Sequence, residues 1–161
     1  MPHHCPSRPA GRRARPGTRG FNLPELMIVL AIGGVLASVA VPSYQSQVRS
    51  AYRAEARTAL METAQWLERH FSLSQSYALT AQNTTINNAA LTAAGLGVTP
   101  RSGSVRYNIT FSAGPTASTY TLQAVPAGSQ TADTRCGTLT LTHLQVRGIS
   151  GTGTVADCWT R

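Results

Sequence analysis

The most unusual chemically active side chain in this sequence is the carboxylate of Glu25, the only charged side chain between Arg19 and Arg49. The uncharged stretch that follows it runs from residue 26 to residue 48, which is long enough to cross a bilayer as a helix. A carboxylate in such a segment costs on the order of 2.5–3.5 kcal/mol at the bilayer centre and less near the interface. We therefore expect Glu25 either to pair with a cation or to lie at a helix N-terminus, where the dipole contributes about 0.3–1 kcal/mol.

The three cysteines divide between the two ends of the chain. Cys5 lies in a basic N-terminal segment, whereas Cys136 and Cys158 lie near the C-terminus. If the N-terminal segment is removed, an even pair remains in a domain that has the features of an exported one, which favours a disulfide. The glycine-rich segment between the two cysteines has little core of its own, and the bridge is worth roughly 3 kcal/mol by the chain-entropy relation.

Other candidate catalytic or metal-ligating residues are scattered. His70 and His143 are isolated, and Asp133 and Asp157 flank the two C-terminal cysteines. The two aspartates could ligate calcium, but paired loop aspartates more often form turns. There is no phosphate-binding glycine loop, nucleophile elbow or His-Glu-x-x-His motif, so we expect no enzyme activity, no metal and no cofactor.

The charge distribution bears on nucleic-acid binding. The net charge is +8, and every basic residue is an arginine. Five of the 14 arginines precede the apolar run, and without residues 1–20 nine arginines face six acidic residues. DNA binding therefore stays possible, but no motif in the sequence supports it.

The apolar run admits three interpretations. It could be a plain membrane anchor, or a secretory signal cut after Ala40, since Ser38-Val39-Ala40 has the small-x-small form. It could also remain attached after a cut before the run, between Gly20 and Phe21. Arginines before the run favour a cytoplasmic N-terminus and an exported remainder. Composition alone leaves these alternatives open.

The local motif GFNLPEL resembles the prepilin-peptidase site of type IV pilins, with Gly20, Phe21 and Glu25 in the characteristic places. The resemblance continues through LMIVLAIGGVLASVAVPSYQ. It implies cleavage after Gly20, N-methylation of Phe21 and retention of the apolar helix. The chain departs from the family pattern in its long leader of 20 residues and in Pro24, which replaces an aliphatic residue.

The resemblance also assigns roles inside the apolar helix. It implies that Glu25 directs assembly by pairing with the new amino group of Phe21 on a neighbouring subunit. Gly33 and Gly34 weaken a helix by about 1 kcal/mol each relative to alanine. Pro42 removes a backbone N–H donor. The family resemblance implies that the helix unwinds locally between Gly33 and Pro42 in the filament, which would make the filament extensible.

The predicted fold is α+β, with a long N-terminal helix packed against a C-terminal antiparallel sheet of about four strands and a C-terminal disulfide loop. An apolar stripe at three-to-four-residue spacing predicts that the helix continues beyond the membrane, and apolar alternation predicts the strands. The expected divisions are a cleaved leader (1–20), a membrane-spanning and filament-core helix (21–48) and an exported head (49–161). Within the head we expect an amphipathic helix (49–72), a connection (73–103), and the sheet with its disulfide loop (104–161).

The function implied by the resemblance is that of a structural pilus subunit, similar to PilE-like minor pilins of type IVa. Such subunits serve adhesion, twitching motility or DNA uptake. The expected partners are other pilin subunits, the prepilin peptidase, the pilus assembly platform and the inner membrane, which the chain would cross once before joining an extracellular pilus. The alternatives are a type II secretion pseudopilin and a soluble secreted binding domain cut after Ala40.

Overall fold

The structure is a computed structural model that describes residues 22–160. The chain divides into two compact units at the junction between Ala40 and Val41. The predicted leader and the cleavage and methylation positions Gly20 and Phe21 lie outside the described residues.

The first unit is the apolar start of helix α1, which runs from Leu23 to Ser74. Pro24 lies in the first turn, where backbone N–H groups have no partner within the helix, so its missing donor costs little. Large apolar side chains from Leu23 onward are exposed. By length and composition, α1 is able to cross a membrane.

The second unit begins with the remainder of α1, whose apolar stripe covers the core. Ala56, Leu60, Thr63 and Leu67 are fully buried at helical spacing, as the sequence predicted, and Ala64, which was outside the predicted stripe, is buried as well. Tyr52, Ala59 and Phe71 are partly buried against the same core. The solvent side carries Glu55, Glu62 and Arg69, and the opposite face of this helix packs against the sheet.

The sheet has five antiparallel strands in the order β1-β2-β3-β4-β5. The strands are β1 (Val98–Thr99), β2 (Tyr107–Ala113), β3 (Thr121–Pro126), β4 (Leu139–Thr142) and β5 (Arg147–Ile149). The prediction of about four strands missed β1, which lies in the expected connection 73–103. Two residues are too few to show alternation, and β1 exists because Val98 and Thr99 pair with Asn108 and Tyr107.

Shorter helices complete the unit: α2 (Asn88–Ala93), a 3-10 helix (Gly128–Ala132) and α3 (Val155–Thr160). The alanine-rich sequence near residues 89–94 predicts a short helix, and α2 occupies this position. The Asn87 side chain caps it by accepting a hydrogen bond from the Ala90 N–H at 3.0 Å.

Strand alternation places apolar side chains towards the core, as predicted. The buried positions on the inner face are Tyr107, Ile109, Leu122, Ala124, Leu139 and Leu141. The outer face is polar, and Gln123 Nε2 donates a hydrogen bond across it to Thr110 Oγ1 at 3.1 Å. This one-sided burial is the usual arrangement of an antiparallel sheet with one face covered.

The sequence predicts a short last strand that includes Leu144 and Val146, and the structure places this strand later in the chain. Leu144 and Val146 lie in the turn before β5 and are 72% and 59% exposed. Gln145 has a φ of 61°, and the Thr142 N–H donates to the Val146 carbonyl at 3.0 Å, so a tight turn occupies this segment. The strand starts only at Arg147.

The predicted disulfide between Cys136 and Cys158 is present, and both cysteines are fully buried. Trp159 packs beside it and is 4% exposed. Its indole Nε1 donates to the Gly148 carbonyl at 3.0 Å. The bridge and this hydrogen bond together attach α3 to the edge of the sheet.

Candidate functional site

The predicted assembly residue Glu25 lies in the exposed first turn of α1. Within residues 22–160 no ion pair involves its carboxylate. Its proposed partner, the amino group of Phe21, lies outside the described residues. The pairing of Glu25 in a filament therefore stays a prediction.

The predicted flexible positions lie within a continuous helix. Pro42 is inside α1, and the helix is also uninterrupted at Gly33 and Gly34. A Cβ added at either glycine would meet no atom within 4 Å outside the local helix backbone. Local packing in this chain thus does not require glycine at these two positions, and unwinding in a filament stays a prediction.

A buried ion pair joins α1 to the segment before the disulfide. Arg53 Nε donates to Asp133 Oδ2 at 2.6 Å, and Nη2 donates to Oδ1 at 3.0 Å. The two side chains are only 14% and 2% exposed. The four-residue spacing of Arg49, Arg53 and Arg57 predicts a solvated or headgroup-facing row. Arg53 departs from that prediction because it forms an ion pair with Asp133.

Gln130 extends this ion pair into a buried polar network. Its Nε2 donates to the Tyr107 hydroxyl at 3.0 Å, to Asp133 Oδ2 at 3.3 Å and to the Arg49 carbonyl at 3.3 Å. Burial raises the pKa of Tyr107 to about 12, although the Gln130 hydrogen bond opposes the shift. The phenol is therefore neutral at physiological pH, and Arg53 and Asp133 are the charged members of the network.

A basic cluster lies beside this network and consists of Arg57 and Arg147, with Arg53 next to them. Partial burial lowers the pKa of Arg57, and the charges of Arg53 and Arg147 lower it further, so the three guanidinium groups lie within electrostatic range. The Arg147 guanidinium carbon lies 5.3 Å from the centroid of the Trp159 ring. Among the described residues, no carboxylate forms an ion pair with Arg57 or Arg147.

The two aspartates considered for calcium binding have other partners. Asp133 binds Arg53, and Asp157 Oδ2 accepts a hydrogen bond from Arg135 Nη2 at 2.9 Å. In the described part of the chain, no group of three or more His, Cys, Asp or Glu residues is placed to hold a metal ion. The carboxylates thus stabilise the C-terminal region through arginines.

Sequence reasoning also missed a carboxylate that organises an aromatic cluster. The Tyr77 hydroxyl lies 2.9 and 3.0 Å from the two oxygens of Glu68, and the Tyr120 hydroxyl donates to Oε1 at 3.4 Å. Burial raises the pKa of Tyr77, and the hydrogen bond with Glu68 adds to the shift. His143 packs near both rings, so its position is explained by aromatic packing.

Comparison with known proteins gives a family match over most of this second unit. Residues 42–140 match the model of a family described as type IV minor pilin ComP, DNA uptake sequence receptor. This match covers more than half of the chain. Its residues belong to the second unit, so the match concerns that unit and not the apolar start of α1.

Individual relatives match over short segments. The type IV major pilin protein PilE1 of Neisseria gonorrhoeae is 55% identical over 38 residues, which are 24% of this chain and 23% of that protein. A fimbrial protein of Moraxella nonliquefaciens is 52% identical over 40 residues, covering 25% of this chain and 26% of that protein. The chain thus aligns with only about a quarter of the length of these relatives.

One solved structure is also similar. The high-resolution structure of a type IV pilin from Shewanella oneidensis is 27% identical to this chain, with a TM-score of 0.41. The match covers 62% of this chain and 89% of that one.

Proposed function

This chain is a type IV pilin subunit of the ComP minor pilin family, and from that premise we propose that its exported head binds DNA during DNA uptake. The observation that carries the proposal is the family match over residues 42–140, since that family is described as a DNA uptake sequence receptor. Adhesion and twitching motility, the other roles implied by the pilin resemblance, have no comparable support.

The charges of the head support this proposal. Among residues 41–160 there are eight arginines and five acidic residues. Three arginines form ion pairs within the described residues, namely Arg53, Arg101 and Arg135. Arg57 and Arg147 have no carboxylate partner within the described residues, so they are available to a polyanion, and phosphate contacts supply most of the affinity of proteins for DNA.

The basic cluster is the part of this surface best arranged for a phosphate backbone. Arg57 and Arg147 come from α1 and β5, and mutual repulsion disfavours their approach unless an anion joins them. Trp159 lies under Arg147 and holds its guanidinium over the ring face. A DNA phosphate between Arg57 and Arg147 would relieve this repulsion.

Delivery to the pilus begins at the N-terminus. We propose that prepilin peptidase cuts after Gly20 and that Phe21 becomes the N-methylated first residue. The new amino group, with an ordinary pKa near ~7.7–8, then pairs with Glu25 of a neighbouring subunit. A misplaced subunit would leave a charge unpaired in an apolar filament core, so the pair favours correct axial register.

Localisation follows from the same sequence of events. Before assembly, α1 anchors the chain in the inner membrane with its N-terminus in the cytoplasm and its head exported. The assembly platform then moves the subunit into a filament with other pilins. The exposed apolar side chains of α1 support this, because they need either lipid or neighbouring helices around them.

A binding experiment tests the DNA proposal. The full chain in detergent micelles is titrated against fluorescent duplex DNA at several salt concentrations, with Arg57→Gln, Arg147→Gln and the control Arg69→Gln. Each cluster variant should weaken binding and reduce the salt slope by about 0.9 per lost phosphate contact. Arg69 is exposed near the other end of α1, so its variant should bind like the wild type.

Two results would count against the proposal in different ways. Absence of binding even at low salt would remove DNA from the function of this pilin. Binding that is weakened only by Arg69→Gln would place the DNA site elsewhere on the head.

A further inference from the structure

A cavity of about 440 Å³ lies between the part of α1 from Tyr44 to Tyr52 and residues 129–132 of the 3-10 helix. All of its lining residues belong to the second unit of the chain. The proposed DNA contacts at Arg57 and Arg147 do not line this cavity. It therefore requires an explanation of its own.

The wall of this cavity combines apolar surface with positive charge. Val48 and two tyrosine rings, Tyr44 and Tyr52, contribute the apolar part, and Arg49 contributes a cation. None of the lining residues is acidic. This composition fits an amphipathic anion better than a fully apolar ligand.

Arg106 adds a second cation beside the cavity. Its guanidinium carbon lies 5.0 Å from the centroid of the Tyr52 ring, and its Nη1 donates to Ser129 Oγ at 2.5 Å. Both of these neighbours line the cavity. The Nε donor of Arg106 is buried and has no hydrogen-bond partner among the described residues. Arg106 therefore places a second positive charge beside the cavity, although it does not itself line it.

The position of the cavity along α1 indicates which anion meets this positive charge. About 20 residues of helix cross the hydrocarbon layer, so a span that starts at Leu23 reaches the opposite headgroup layer near residue 43. Tyr44 follows directly and is 71% exposed. Tyrosine and arginine are the residues expected at this depth, where rings and cations meet lipid headgroups.

From this arrangement we infer that the cavity binds the headgroup of an anionic glycerophospholipid while the subunit is still in the membrane. Arg49 binds the phosphate from the cavity wall, Arg106 adds positive charge beside it, and Tyr44 and Val48 contact the glycerol and the first acyl carbons. This inference rests on the proposed membrane anchoring of α1. The bound lipid holds the base of the head at the membrane surface until assembly removes the subunit.

Lipid selectivity tests this inference. The full chain is reconstituted into nanodiscs with equal amounts of phosphatidylglycerol and phosphatidylcholine, and native mass spectrometry counts the lipids that remain bound after release. Wild type should retain phosphatidylglycerol preferentially. Arg49→Gln should reduce this preference about fivefold, as expected for one arginine near a headgroup. Ala132→Trp, at an exposed cavity-lining position, should block retention without changing charge.

Controls separate the possible failures. Arg69→Gln removes the same charge from a distant exposed position and should leave the preference unchanged. If the chain does not enter nanodiscs at all, the proposed anchoring is wrong. If it enters and retains both lipids equally, anchoring stands and the headgroup site is refuted. If Ala132→Trp weakened DNA binding and left lipid retention unchanged, the inference would also be overturned, because the cavity would then belong to the DNA surface.

Discussion

Arg53 and Asp133 are 80 residues apart in the chain, yet they form a two-point ion pair at 2.6 and 3.0 Å in the interior of the head. The pair connects the helix to the segment that leads into the disulfide. A buried charge that loses its partner is strongly destabilising, typically by about 3–5 kcal/mol.

We therefore expect Arg53→Ala to lower the free energy of unfolding by an amount in this range, because the Asp133 carboxylate is left buried without a cation. Urea unfolding of the full chain in detergent measures the change. The matched control is Arg101→Ala, whose pair with Glu62 is 56% and 48% exposed and should contribute no more than about 1 kcal/mol. Equal losses in the two variants would contradict the assignment of a structural role to Arg53.

The second prediction concerns the bridge between Cys136 and Cys158. The double variant Cys136→Ser/Cys158→Ser should lose roughly 3 kcal/mol of stability, since the closed segment restricts the unfolded chain. Thermal unfolding with and without reductant measures this. Reductant should lower the melting temperature of the wild type and leave that of the double variant unchanged. A wild type that is insensitive after verified reduction would argue against a stabilising bridge.

The third prediction concerns Glu25. Glu25→Gln subunits should be cut after Gly20 at a normal rate but should enter filaments poorly, because the amide cannot neutralise the amino group of Phe21. N-terminal sequencing verifies the cut, and immunoblotting of sheared pili measures incorporation. Glu55→Gln, which changes an exposed carboxylate of the head, is the control. Normal incorporation of correctly processed Glu25→Gln would refute the electrostatic role in assembly.

The fourth prediction concerns alkaline pH. Burial raises the pKa of Tyr107 to about 12, above its ordinary value near ~10. A raised pKa in the folded state means that the stabilisation is complete below pH ~10 and is lost as the pH rises through the folded-state value. Tyr120 is shifted in the same direction, mainly by burial, so it contributes to the same loss.

Stability of the full chain should therefore fall between pH ~10 and pH ~12. Tyr107→Phe removes one of the three phenols with a raised pKa, the others being Tyr77 and Tyr120, and should flatten this decline at the cost of one hydrogen bond from Gln130. Denaturant titrations at several alkaline pH values measure the slope. An unchanged slope in Tyr107→Phe would show that its phenol does not titrate with unfolding.

The local sequence pattern was sufficient to predict most of the helices and strands of this protein. The apolar stripe of α1 and the alternation in β2, β3 and β4 follow from side-chain periods of 3.6 and 2, which are properties of neighbouring residues. The paired cysteines were likewise found from composition, because an even pair in an exported domain favours a bridge. The two-residue strand β1 has no such local signal, since its geometry depends on its partner strand.

Some of the candidate sites can likewise be recognised in the sequence, whereas others depend on tertiary contacts. The place of Glu25 at the start of a long apolar run is visible in the sequence itself. The partners of Arg53, the approach of Arg57 to Arg147 and the cavity beside Arg49 depend on contacts between segments separated by tens of residues. A local pattern states which residues are charged or apolar, whereas the free energy of a charge depends on the groups that surround it in space, and only the tertiary structure decides those.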